Sequence, residues 1–118
     1  MAEVTLFHNT ACSTSRYALD TTNESEIDVD VVQYLKQPLT YDQLRDLLRK
    51  LEDSAADLVR KDKQFKELGL DADDYVDDEA VATLLAQHPK LMQRPVLVKG
   101  DRAIIGRPKD RVTAFLEG

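Results

Sequence analysis

Two short extended segments with a helical stretch between them open the chain, and this order constrains its fold more than any other feature. Residues 3 to 7, EVTLF, place Val4 and Leu6 on one side of an extended backbone and Thr5 and Phe7 on the other. Residues 28 to 35, DVDVVQYL, are short and β-branched, as a second strand would be. Between them, residues 12 to 23 carry a helical stripe of Ala11, Ser15, Ala18, Leu19 and Thr22, with Ser and Thr crowded into a first turn whose N–H groups they can cap. Strands joined through a helix lie parallel, with a right-handed crossover, so the chain starts as an α/β unit.

After Pro38 the period changes. Thr40 and Gln43 have capping-box spacing, and Leu44, Leu47, Leu48 and Leu51 follow at i, i+3, i+4, i+7. Ser54 and Asp57 offer another helix start ahead of LVRKDKQFKELGL, which Gly69 ends. Acidic residues 77 to 79 then stand at the positive end of a helix with Val81, Leu84, Leu85 and His88 on one stripe and Pro89 as its stop. Residues 40 to 89 thus read as a helical block. PVLV (95–98) and AIIG (103–106), joined by KGDR, read as an antiparallel hairpin, and Pro108 opens a last helix that buries Val112, Phe115 and Leu116. The expected fold is α/β: a four-stranded mixed sheet with flanking helices and a helical insertion between strands 2 and 3, in one domain over residues 1–118.

Charge narrows the partners. Sixteen basic against 22 acidic residues give a net charge of -6, which repels nucleic acid and anionic membrane, so neither is expected as a partner and any anion site must be made locally. MAEVTLF lacks the pattern of a secretory leader, and no run of 18 apolar residues occurs, so the expected location is cytoplasmic. The single cysteine agrees, because a disulfide framework needs an even set.

That cysteine, Cys12, falls where the first strand hands over to the first helix, the edge at which open α/β sheets gather ligands. Helix-terminal N–H groups stabilise a thiolate and bind anions. A fall in thiol pKa from ~8.5 to ~6.5 would raise the thiolate fraction at neutral pH from roughly 3% to roughly three quarters. His8, four residues upstream, can add a cation or a hydrogen bond. Free cysteines also serve as inert buried side chains, but Asn9, Thr10, Ser13, Thr14 and Ser15 are polar company for a core position. Arg60, Arg94 and Arg107 each stand beside a structure-breaking position; taken singly such residues are surface charges, whereas together they suit a tetrahedral oxyanion. No metal-ligand spacing, phosphate-loop glycine pattern or Ser/His/Asp arrangement is present, and DADDYVDDE departs from the EF-hand pattern.

Four stretches in order, HNTACSTSR, LVRKDKQFKELGL, QHPKLMQRPVLV and IIGRP, resemble the glutaredoxin-coupled arsenate reductase (ArsC) family of the thioredoxin-like superfold. Their counterparts there are HNPxCGTSR, LLRxxxxxYxELGL, QHPxLIxRPIVV and a final CRP. The resemblance implies that Cys12 is the nucleophile, that His8 helps depress its pKa, and that Arg60, Arg94 and Arg107 bind the oxyanion. It also implies that Ser15 and Pro95 support the loop, Pro95 as a cis-proline facing the cysteine. Three positions differ: Thr10 and Ser13 replace proline and glycine, and Gly106 replaces cysteine. At Thr10 a less fixed loop is expected, at Ser13 a conformation poor in positive φ, and at Gly106 little loss.

The resemblance further implies arsenate or a similar oxyanion as substrate and no tightly bound cofactor or metal. With one protein thiol, an external one, glutathione or an equivalent small thiol, must act as co-substrate, and a glutaredoxin-type partner must reduce the mixed disulfide. Two alternatives stand beside this. One is a redox regulator resembling Spx that binds RNA polymerase, although Spx-type loops usually carry CxxC and Ser15 occupies the second position here. The other is a thiol oxidoreductase acting on a different oxyanion.

Overall fold

The computed structural model describes residues 3–117; Met1, Ala2 and Gly118, the ends of the expected domain, lie outside the described residues. Strand β1 (Val4–His8) is followed by helix α1 (Ser13–Glu24) and strand β2 (Val29–Gln33), which pairs with β1 in parallel. Helices α2 (Tyr41–Lys50), α3 (Lys63–Glu67) and α4 (Asp78–Gln87), with short 3-10 turns between and after them, form the insertion. Strands β3 (Val96–Lys99) and β4 (Arg102–Ile105) make the hairpin, and α5 (Asp110–Glu117) closes the chain. The sheet order is β2-β1-β3-β4, with β1 antiparallel to β3 and β3 to β4. This is the mixed four-stranded sheet of the thioredoxin-like topology.

Alternation along β1 sorts the core into two layers. Val4 and Leu6 pack with Leu97, Ile104 and the buried faces of α1 and α5. Phe7, Val96 and Val98 face the other way, toward Leu44, Leu47 and Leu48 of α2 and Val81, Leu84 and Leu85 of α4. Each fully buried leucine or valine contributes about 1.5–3 kcal/mol relative to exposure. The Thr40–Gln43 capping box forms in both directions, which fixes where α2 starts.

Several local expectations change. Strand β1 runs one residue further than predicted, so His8 belongs to the strand and is buried with Val4 and Leu6. Ala11 stands outside α1 and is exposed. The helix expected from Ser54 to Gly69 is broken: Ala55–Leu58 is a 3-10 turn, Val59 bridges to Met92, and a new helix starts with Asp62 capping Phe65 N–H at 3.2 Å. The tie between Val59 and Met92 outweighs helical spacing there, and Gly69, at φ +72°, ends the short helix that results. The last helix begins two residues beyond Pro108.

Candidate active site

Sheet register alone brings distant residues to one edge. Phe7 pairs with Val96 and Val96 with Ile105, so the chain leaves β1, enters β3 and leaves β4 at the same end of the sheet. Gly106 N–H donates to the Pro95 carbonyl at 2.8 Å and extends the pairing one residue beyond the strands. Arg94 and Arg107, one residue further out on each side, are therefore neighbours, and Arg107 Nε donates to the Arg94 carbonyl at 2.7 Å. The Arg94–Pro95 and Arg107–Pro108 peptides are both cis.

Cys12 is the residue that caps α1, with extended backbone at φ -102° and ψ 120°. No side chain caps the helix at this position, contrary to the expectation from its Ser and Thr content. Ser15 is turned backward instead: its Oγ lies 2.6 Å from His8 Nδ1 and accepts the Asn9 N–H at 3.0 Å. The first-turn N–H groups thus remain available to the sulfur. The loop itself is tied by Asn9 Oδ1 accepting from Ala11 N–H (2.9 Å), the Asn9 carbonyl accepting from Cys12 N–H (3.1 Å) and the Thr10 carbonyl accepting from Arg16 (2.8 Å).

Arg107 Nη2 lies 3.3 Å from Cys12 Sγ. The thiol is 7% exposed, and that burial pushes its pKa up. Donors directed at the sulfur from Ser15 N–H, the Arg94 side chain and Thr14 N–H, with the charge of Arg107, outweigh burial, and the net shift is downward. Arg94 Nε is buried without a hydrogen-bond partner, a donor that an anion beside the sulfur would satisfy.

His8 is 5% exposed and its pKa is lowered, first by burial and then by the charge of Arg16, against smaller opposing effects of Asp20 and Ser15. A neutral imidazole bonded to Ser15 is what these surroundings favour, in place of the cation the sequence allowed. Arg60 is engaged elsewhere: its Nη1 pairs with Asp62 Oδ2 at 2.9 Å, while its backbone N–H donates to the Leu91 carbonyl. Cys12, Arg94 and Arg107 are in one cluster, His8 reaches it through Ser15, and Arg60 is held by a counter-ion.

A cavity of about 630 Å³ lies elsewhere, between the sheet and α2, and is lined by Thr5, Phe7, Val32, Leu39, Leu47 and Val98 among others. Among the described residues, no three or more His, Cys, Asp or Glu side chains gather as a metal site would require. No helix among them is long and apolar enough to cross a membrane.

The model of the ArsC family matches residues 7–115. The chain belongs to the ArsC family. It is 40% identical over 118 residues to the arsenate reductase of Neisseria meningitidis serogroup B, covering 98% of this chain and 100% of that one. It is 41% identical over 112 residues to the uncharacterized protein YfgD of Escherichia coli, covering 93% of each. Among solved structures it is similar to an arsenate reductase from Vibrio cholerae, with a TM-score of 0.84 and 31% identity over 96% of this chain and 97% of that one.

Membership sharpens the three departures from the ArsC motifs. Ser13 opens α1, and the only non-glycine residue with positive φ among those described is Glu26, so no glycine is needed at position 13. At Thr10, backbone and side-chain hydrogen bonds on either side fix a loop that proline would otherwise stiffen. Gly106 is closely packed. A Cβ there would stand 2.8 Å from Pro95 Cγ and 3.1 Å from both Leu97 Cδ1 and Val112 Cγ2, so a side chain would displace the proline beside Arg94.

Proposed function

We propose that the chain is an arsenate reductase in which Cys12 is the nucleophile and Arg94, Arg107 and Arg60 hold the oxyanion. The observation that carries this reading is a thiol of lowered pKa at a helix N-terminus, 3.3 Å from one guanidinium, with the orphan Nε of a second close by. Positive donors fixed before substrate arrives stabilise both a thiolate and the charge that develops on an attacked oxyanion. The arsenate reductases among the relatives support arsenate as that oxyanion.

In the first step Cys12 Sγ bonds to arsenic and one arsenate oxygen leaves as water. An external thiolate, from glutathione or an equivalent small thiol, then attacks Cys12 Sγ. The electron pair of the breaking S–As bond stays on arsenic, which passes from arsenic(V) to arsenic(III) and leaves as arsenite. Cys12 is left in a mixed disulfide, which a glutaredoxin-type partner reduces by thiol exchange, returning the thiolate. Electrons come from thiols throughout, so no resident cofactor is required, and a cytoplasmic compartment with reduced thiols suits the cycle. His8 contributes through Ser15, whose Oγ it engages, by keeping the loop in place, and Pro95 sets Arg94 at the mouth of β3.

Arsenite production with several thiol donors, run beside Cys12→Ser, tests the reading. Turnover by the wild type and loss of all detectable turnover in the serine variant are expected. A wild type inactive with every donor, or an active serine variant, overturns it. Capture of RNA polymerase by a chain without turnover would favour the Spx-like alternative, and turnover of another oxyanion in preference to arsenate would move the substrate assignment.

A further inference from the structure

Arg107 reaches Cys12 from an exposed turn, yet the backbone leading into that turn is held by Asp53, far away in sequence, together with the nearby Arg111. Asp53 lies just beyond α2, where Leu51 bridges to Ala103 and Glu52 N–H donates to the Ala103 carbonyl at 2.8 Å. Its Oδ2 accepts the Ile105 N–H at 2.9 Å, and its Oδ1 accepts from Arg111 Nη1 at 2.8 Å. The same Arg111 nitrogen faces the Ile105 carbonyl at 2.9 Å and the Arg107 carbonyl at 3.3 Å. The Asp53 side chain is 16% exposed and that of Arg111 32%, so the pair is more sheltered than an ordinary surface ion pair.

We propose that Asp53 and Arg111 form a clamp that fixes the backbone of residues 105 to 107 and thereby holds the Arg107 guanidinium on the Cys12 sulfur. Both are positioning residues: neither contacts Sγ, and each acts through Arg107. The clamp also joins the end of α2 to the site, so the helical insertion is coupled to the nucleophile through three residues after α2. One Arg111 nitrogen shared between the carboxylate and two backbone carbonyls, and a carboxylate with both oxygens engaged, give a geometry that a single surface charge cannot. Loosening the clamp lets Arg107 leave the sulfur, and the thiolate loses one of its several stabilising partners.

The inference rests on the site reading above, but its test needs no arsenate. The pH midpoint of Cys12 alkylation by iodoacetamide is measured for the wild type, Asp53→Asn, Arg111→Gln, Arg107→Ala, the double variant Asp53→Asn/Arg107→Ala, and Glu52→Gln. The midpoint reports the thiolate rather than access to the sulfur. Asp53→Asn and Arg111→Gln are expected to raise it, so that the thiolate fraction at neutral pH falls about threefold. Arg107→Ala should raise it at least as far, and the double variant should titrate like Arg107→Ala alone, because residues acting through one partner are not additive. Glu52→Gln breaks the neighbouring pair with Arg102, at 2.7 Å, without touching residues 105 to 107, and should titrate like the wild type. The proposal is overturned if Arg111→Gln and any folded Asp53→Asn keep the wild-type midpoint, if Asp53→Asn adds its full effect to Arg107→Ala, or if Glu52→Gln moves the midpoint equally. Failure of arsenate turnover in the wild type would defeat the substrate assignment while leaving these titrations to decide the clamp.

Discussion

The three arginines expected at the site are held in two different ways. Arg94 and Arg107 flank the β3–β4 hairpin, so antiparallel register brings them together whether or not an anion is bound. Arg60 hangs from the insertion, follows a one-residue bridge, and is paired with Asp62. Under the proposed function, the first arrangement places donors before substrate arrives, and the second offers a donor that must first leave a carboxylate. Fixed donors cost no reorganisation at the moment of reaction, whereas a recruited one contributes only the difference between two charge pairs. The sheet-borne pair should therefore dominate both thiol activation and anion affinity.

Removing a sheet-borne guanidinium gives the largest effect. Arg94→Ala should weaken arsenate binding roughly ten- to hundredfold, the scale of one charge-assisted hydrogen bond lost from a sheltered site, and should also raise the alkylation midpoint of Cys12. Lys99→Ala is the control, since Lys99 Nζ donates to the Leu116 carbonyl at 3.0 Å, at the opposite end of β3. Equal losses of affinity in the two variants would reduce the arginines to general surface charge and erase the distinction.

How much of this was legible in the sequence follows the same division. The alternation in EVTLF, the β-branched second strand and the KGDR hairpin were readable because strand alternation is a local, period-two property, and register brings the strand ends next to residues 8, 94 and 107 to one edge, where the loop after β1 adds Cys12. The segment carrying Arg60 was not, because a long-range bridge between Val59 and Met92 and the Asp62 cap override the helical spacing of LVRKDKQFKELGL. The backward turn of Ser15 was equally hidden. A serine in a first helical turn ordinarily reads as a cap, and only the burial of His8 beneath it shows that its hydroxyl is spent on β1. Asp53 carried no signal at all, since its partners lie 52 and 58 residues away.

Arg60 should show a smaller effect, and one that can be made to change sign. Arg60→Ala is expected to raise the KM for arsenate by several-fold at most and to leave the Cys12 alkylation midpoint where it is, because a partly exposed pair of this kind is worth about 1 kcal/mol or less. Asp62 divides its two oxygens: Oδ1 caps α3 through Phe65 N–H and Oδ2 holds Arg60. Asparagine caps a helix as well as aspartate does. Asp62→Asn should therefore keep α3, free Arg60 and lower the KM by about twofold, the opposite direction from Arg60→Ala. A rise in KM for Asp62→Asn with an unchanged circular dichroism spectrum would mean that Arg60 is not recruited from that carboxylate.

The smallest effect concerns the support beneath the cluster. His8 is buried on the face of β1 shared with Val4 and Leu6, and its lowered pKa means that the folded chain resists a proton the unfolded chain accepts. As pH falls below about 6.5 the unfolded state therefore binds more protons, and stability declines until the lowered folded value is passed. Cys12 acts with the same sign in a higher window: its lowered pKa stabilises the fold fully above the ordinary thiol value and loses that contribution as pH falls through the folded one. Exposed carboxylates such as Asp46 and Glu52, whose pKa values are also lowered, act in the more acidic range, so the three contributions separate along the pH axis. Urea midpoints taken across the acid limb should show a shallower decline in His8→Gln than in the wild type, with Cys12→Ser flattening the limb between the ordinary thiol value and the lowered folded one. A steeper acid limb in His8→Gln would mean that the fold holds His8 as a cation, and the imidazole would then belong with the arginines; an unchanged limb would mean that the fold does not resist its proton, and either result removes the neutral floor on which Ser15 and the loop rest.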